Sequence, residues 1–256
     1  MKISMIQFSS VKFQIEKNYE KVLNFMQDAI SKKTDIIVLP ELFDTGFFPS
    51  KNLEKFADKN AFRAREIFSN FARENCVNIV AGSICEMRND KLFNASYIFD
   101  KNGKIIANYD KIHLFSTGNE KESEIFTPGE KIISFRLNEI PCGIMICYDL
   151  RFAEIAKILA LRGISVLFVV AQWPLKRIKH FEILAKARAI ENEFFVCALN
   201  GFGNSILINP NGDEILKFDL NEGVKTAEIN LDEIMQARDF LHVFEDRKPE
   251  IYKEIL

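Results

Sequence analysis

The run Ser165-Val166-Leu167-Phe168-Val169-Val170 is apolar at every position after its first. Such a strand can turn neither face to water. It belongs in a sheet covered on both sides, the usual setting of parallel strands joined through helices. The rest of the chain fits that demand. Further strand-like runs lie at 3–8, 36–39, 78–83, 92–99, 104–109, 194–199, 205–209, 214–218 and 225–229, and helical patterns at 16–31, 61–74, 152–162 and 178–192. Val22, Phe25, Met26 and Ile30 recur at helical spacing, as do Phe62, Ile67, Phe68 and Phe71. Gly163 is placed to end the third helix. Asn102-Gly103 and Asn211-Gly212 are tight hairpin signals. The alternation predicts a layered α/β protein with mixed sheets. Periodicity alone leaves open whether there is one sheet or two.

Length and charge narrow the function. A chain of 256 residues can build one large core, so residues 1–256 are expected to form a single domain, with 242–256 as a C-terminal tail. With 34 basic and 36 acidic residues, no basic excess points to nucleic acid. No run reaches the ~18 apolar residues that suggest a membrane span, and Met1 to Phe8 reads as a strand, not a signal peptide. The five cysteines have irregular spacing, so no disulfide framework or metal knuckle is expected, and reduced thiols in a cytoplasm are. No His/Asp/Glu cluster has ligand spacing, so no metal and no cofactor is expected.

Chemistry concentrates in three places. Ile144-Met145-Ile146 ends at Cys147, a polar turn follows, and then a helical pattern begins at Ala153. A strand that turns sharply into a helix presents the turn residue at the carboxyl edge of a sheet, where α/β folds put reacting groups. Ile36-Ile37-Val38-Leu39-Pro40 runs into Glu41, and Lys111 sits among apolar neighbours in Tyr109-Asp110-Lys111-Ile112-His113-Leu114-Phe115. Taken singly, Cys147 would be a buried inert thiol, Glu41 a helix-start acid and Lys111 a solvated charge. The three together, in this order, make those bland readings improbable.

In these motifs the chain resembles the nitrilase or carbon–nitrogen hydrolase superfamily. The matching segments are Leu39-Pro40-Glu41, Lys111-Ile112-His113-Leu114-Phe115 and Cys147-Tyr148-Asp149-Leu150-Arg151-Phe152, with Ala187 to Asn192 and Pro210-Asn211-Gly212 in support. The resemblance runs from Met1 to near Tyr252. It implies an αββα four-layer sandwich with two mixed β-sheets flanked by helices, and a Glu41-Lys111-Cys147 catalytic triad. It also implies a second acid in the loop after the lysine. The family places that acid seven residues before the glycine of a Pro-Gly turn, which at Gly129 selects Glu122, with Glu120 and Glu124 close by. Tyr148, Arg151, Trp173, His113 and Phe43 are the expected substrate-binding residues. His113 can orient substrate or hold structure by hydrogen bonding.

The expected chemistry is hydrolysis of a non-peptide amide through a thioester on Cys147. Glu41 beside the thiol would oppose an early thiolate, so proton transfer is expected in concert with attack. Lys111 and the Tyr148 N–H would face the oxyanion. Trp173-Pro174 and the segment His180 to Asn192 look most like the omega-amidase branch, whose substrates are amides of 2-oxo dicarboxylic acids. Arg151, Lys176, Arg177 and His180 are candidates for an anionic far end. Ala153, where many relatives carry proline, and the short segment 200–205 depart from the family pattern and leave an N-carbamoyl amine or another small aliphatic amide as alternative substrate. A noncatalytic acyl-binding module and a Cys142/Cys147 redox protein are rivals of other classes. Ile155, Ile158, Leu159 and Leu161 cover more than one helix face, and the tail carries Val243, Phe244, Ile251, Tyr252 and Leu256, so a homodimer is expected.

Overall fold

The computed structural model describes residues 1–46, 52–117 and 120–253. The chain opens with β1 (Lys2–Gln7), α1 (Ile15–Ser31), β2 (Ile36–Val38), β3 (Asp58–Lys59) and α2 (Phe62–Asn75). Four strands follow without a long helix: β4 (Asn78–Val80), β5 (Ile84–Arg88), β6 (Lys91–Phe99) and β7 (Ile105–Asp110). After the short β8 (Ser116–Thr117) and β9 (Glu120–Lys121) come β10 (Ser134–Leu137), β11 (Ile140–Ile146), α3 (Ala153–Leu161), β12 (Val166–Ala171) and α4 (Ile178–Asn192). The chain closes with β13 (Phe195–Asn200), β14 (Ile206–Ile208), β15 (Glu214–Lys217), β16 (Gly223–Glu228), α5 (Asp232–Phe240) and α6 (Pro249–Tyr252).

The strands make two large sheets. One is eight-stranded, in the order β16-β1-β2-β4-β6-β5-β3, with β7 also paired to β6. The other is six-stranded, in the order β10-β11-β12-β13-β14-β15. Both are mixed. β1-β2-β4 and β11-β12-β13 are parallel cores extended by antiparallel strands, and the edge strand β3 of the first sheet pairs parallel to β5. The apolar strand that opened the sequence analysis is β12, central in the second sheet and buried along its whole length.

The period of two in β2 and β4 separates the layers. Ile36, Val38 and Val80 join the core shared with the second sheet, whereas Ile37 and Ile79 pack beneath α1 and α2. Tyr19, Val22, Met26 and Ala29 form the buried face of α1. Ala64, Phe68, Phe71 and Ala72 form that of α2. Phe62, expected on that face, is exposed at the start of the helix. Beyond the second sheet, Ile155 and Leu159 of α3 and Phe181, Ala185 and Ala189 of α4 close the other side. The result is an αββα sandwich with two mixed sheets flanked by helices. Full burial of one ring such as Phe68 contributes about 1.5–3 kcal/mol.

Among the described residues no helix is long and apolar enough to cross a membrane. β5, β10 and α5 did not stand out in the sequence. Both expected hairpins formed, with Gly103 at φ 79° and Gly212 at φ 89°. Of the tail, residues up to 253 are described, and Phe244 packs against the core. Leu256 lies outside the described residues.

Candidate active site

Three strand ends deliver the site. Leu39-Pro40 carries the chain beyond β2 to Glu41, β7 ends one residue before Lys111, and β11 ends at Ile146, one residue before Cys147. The Glu41 turn is anchored by its neighbours. The Ser83 N–H donates to the Pro40 carbonyl at 3.2 Å and Ser83 Oγ accepts the Leu42 N–H at 2.9 Å. Gly82, at φ 55°, permits this approach, because a Cβ there would sit 2.0 Å from the Pro40 oxygen. Cys147 opens a short 3-10 turn, Cys147–Arg151, at φ 49°, a conformation that costs a residue with a side chain about 1–3 kcal/mol.

Lys111 and both carboxylates are buried. Lys111 Nζ donates to Glu41 Oε1 at 2.8 Å and to the two Glu122 oxygens at 2.9 and 2.8 Å. Burial works to discharge Lys111, but the charges of Glu122 and Glu41 outweigh it and hold the ammonium well above the usual lysine range. Burial also pushes the Glu122 carboxyl up, partly offset by Lys111. Glu122 Oε2 further accepts the Phe115 N–H at 2.7 Å, fixing the loop that carries it. Glu124 is exposed and pairs with Lys121, and the side chain of Glu120 lies outside the described part. The Cys147 thiol is held neutral, first by burial and then by the Glu41 charge, with Lys111 opposing. One cation between two carboxylates already leaves an excess of negative charge, and a thiolate would add to it.

Asp149 ties the elbow to the lysine loop. Its Oδ2 accepts the Tyr109 hydroxyl at 2.7 Å and the Ile146 N–H at 3.1 Å. Its Oδ1 accepts the His113 N–H at 2.8 Å and lies 2.9 Å from His113 Nδ1. The His113 ring also stacks on Phe152 at 3.5 Å between centroids. His113 therefore supports the elbow and does not line the cavity. Arg188 Nη2 donates to the Leu150 carbonyl at 3.0 Å, so the segment 187–192 braces the same turn from α4.

A small cavity of about 20 Å³ opens on the thiol, lined by Phe115, Cys147, Tyr148, Arg151, Trp173, Pro174 and Arg177. That is room for about one water. Trp173 is held by Asn200, whose Oδ1 accepts its N–H at 2.7 Å, and its Nε1 donates to the Arg177 carbonyl at 3.0 Å. The Arg151 guanidinium lies 4.6 Å from the Trp173 ring and that of Arg177 lies 5.2 Å from the Phe115 ring. Among the described residues neither arginine has a carboxylate partner. Lys176 and His180 are exposed and do not line the cavity. Phe43 does not line it either. The turn at Leu42, φ 42°, carries its ring into the core under the helices, 5.3 Å from Tyr19 and 5.6 Å from Phe68. Asp149, Asn94 and Gln172 were not singled out in the sequence, because each acts from a segment distant in the chain or from inside a motif whose other residues drew attention.

Known proteins share this arrangement of chain. The chain is 36% identical over 259 residues to the 2-oxoglutaramate amidase of Bacillus subtilis (strain 168), covering 98% of each. It is 35% identical to a Staphylococcus aureus protein named hydrolase in agr operon, covering 99% of this chain and 100% of that one. The crystal structure of Saccharomyces cerevisiae Nit3, a member of branch 10 of the nitrilase superfamily, superposes with a TM-score of 0.90 at 26% identity, over 97% of this chain and 96% of that one. Residues 2–239 match the carbon-nitrogen hydrolase family. With a buried cysteine, lysine and two glutamates at the strand ends of an αββα sandwich and relatives along its whole length, the chain belongs to the carbon-nitrogen hydrolase family.

Proposed function

We propose that this protein is a cofactor-free cysteine amidohydrolase that releases ammonia from a short 2-oxo dicarboxylic acid ω-amide through a thioester on Cys147. The observation that carries the substrate class is the cavity wall. Its described lining residues include two arginines, Arg151 and Arg177, whose guanidiniums lie over Trp173 and Phe115, and among the described residues no Asp or Glu lines it. An anionic far end would find partners there, whereas a carbamoyl amine with a cationic end would not. The likeness to the Bacillus subtilis 2-oxoglutaramate amidase supports the same class.

The chemistry follows from the charges. The resting thiol keeps its proton, so Glu41 takes it as sulfur attacks the amide carbon. The oxyanion meets the Tyr148 N–H, one of the unpaired first N–H groups of the 3-10 turn. Lys111 bonds both oxygens of Glu122, so one N–H can turn to the oxyanion without breaking that ion pair. Glu41 then gives its proton to the leaving amine and ammonia departs. Water, deprotonated by the same carboxylate, releases the acid from the thioester. Glu122 keeps Lys111 charged and in place.

Two copies are proposed to associate through α3 and α4, where Ile158, Leu161, Ile183 and Ile190 are exposed. All five thiols are free, which suits a cytoplasmic location. The deciding assay compares kcat/KM by ammonia release for 2-oxoglutaramate, glutamine and N-carbamoylputrescine. Preference for 2-oxoglutaramate is expected. Preference for the carbamoyl amine would overturn the substrate class and leave the Glu41-Lys111-Cys147 mechanism standing.

A further inference from the structure

Asn94 lies in β6 and is 1% exposed. Its Nδ2 donates to Glu41 Oε1 at 2.9 Å, and its backbone carbonyl accepts the Lys111 N–H at 3.0 Å. Its Oδ1 is buried with no hydrogen-bond partner among the described residues. Flipping the amide would put that oxygen against the Glu41 carboxylate, so the orientation is set. An unpaired buried oxygen costs about 1–3 kcal/mol.

The lone pairs of Glu41 show what that N–H does. Oε1 accepts from Lys111 and Asn94, and Oε2 accepts the Gln172 N–H at 2.8 Å. Among the described residues these fill two acceptor sites on Oε1 and one on Oε2, which leaves a lone pair of Oε2 for the Cys147 thiol beside it. The terminal torsion of a glutamate is broad, and Asn94 adds a third fixed donor to the two, Lys111 on Oε1 and the Gln172 N–H on Oε2, that orient the carboxylate. We propose that Asn94 is a positioning residue that turns the open lone pair of Glu41 to the Cys147 thiol, while its carbonyl sets Lys111 in the same site. This rests on Glu41 being the base. The charged groups facing Glu41 are Lys111 and Glu122, with the Cys147 thiol beside them.

The test uses Asn94→Leu, which removes the donor and the orphan oxygen together at similar volume, and Asn94→Ala. Both keep the backbone bond to Lys111. Urea unfolding checks the fold, and activity is read as kcat and KM against pH. The rate of Cys147 alkylation by iodoacetamide against pH reads the base without any substrate. Expected are folded variants, KM within about twofold of the parent and kcat down roughly 10- to 100-fold, the loss that misplacing a reacting group brings. Alkylation of Cys147 is expected to slow along with kcat. Parental kcat, a parental rate of Cys147 alkylation, or failure of both variants to fold would overturn the proposal. If Glu41→Gln leaves the alkylation profile of the parent unchanged, the base assignment has failed, a result distinct from an effect of Asn94 alone.

Discussion

Replacing Lys111 with methionine removes the one cation between two buried carboxylates. Methionine keeps most of the volume, so the loss is electrostatic and not a cavity. Deleting one partner of a buried pair costs about 3–5 kcal/mol. At about 2–4 °C per kcal/mol for a chain of this size, that is a drop of roughly 6–20 °C in Tm. Beyond its role in the proposed chemistry, Lys111 is thus structural, and its removal cannot leave stability untouched. The deficit depends on pH. Burial already pushes Glu122 up in the parent, and without the ammonium Glu41 and Glu122 repel each other. The folded variant then holds protons that the unfolded chain releases. Its stability is highest below the unfolded carboxylate range, near ~4.3, and falls by about 1.4 kcal/mol per pH unit per proton as pH rises through the folded values. Urea unfolding of parent and variant at pH 5, 6.5 and 8 measures this. The deficit is expected to be largest at pH 8. A deficit under about 1 kcal/mol at pH 8, or one that grows toward pH 5, would refute the charge balance drawn for the site.

Acid quenching during turnover, followed by peptide mass spectrometry, is expected to find the acyl adduct on Cys147. An adduct on Cys85 or Cys197, or full activity in Cys147→Ala, removes the nucleophile. Glu122→Gln is expected to lower kcat roughly 100-fold or more, the scale of losing an electrostatic support, while Glu124→Gln stays near the parent. Equal activity of the two variants would show that the Lys111–Glu122 contact is irrelevant to turnover. Light scattering at micromolar concentration is expected to give twice 29.5 kDa, with Ile183→Lys and Leu161→Lys shifting it toward one chain. A parent that stays at the monomer mass rules the association out.

Local patterns carried much of this structure. β12 could be read from its unbroken apolar run, and the helix faces from residues such as Val22, Met26, Phe68 and Phe71. The family resemblance carried by the motifs grouped Glu41, Lys111, Glu122 and Cys147, which the structure brings together. Phe43 shows the limit: motif proximity to Glu41 suggested the pocket, but the left-handed turn at Leu42 sends the ring to the opposite core. Asn94 shows another. Its partners are 53 positions back and 17 ahead in the chain, and no periodicity marks a buried amide whose partner comes from another strand. The split into two sheets was likewise invisible to spacing, because β2 and β12 are equally apolar although they lie in different layers.

The neutral state of Cys147 has a consequence for the lifetime of the enzyme. Peroxide and related oxidants attack thiolates and leave protonated thiols largely alone. A nucleophile that gives up its proton only as a carbonyl arrives is ionised for the duration of a bond-forming event and not between events. Cys147 is also 6% exposed behind an aromatic wall. On the proposed mechanism, the burial that keeps this thiol protonated at rest would also leave it less open to oxidation between turnovers, with no disulfide partner required.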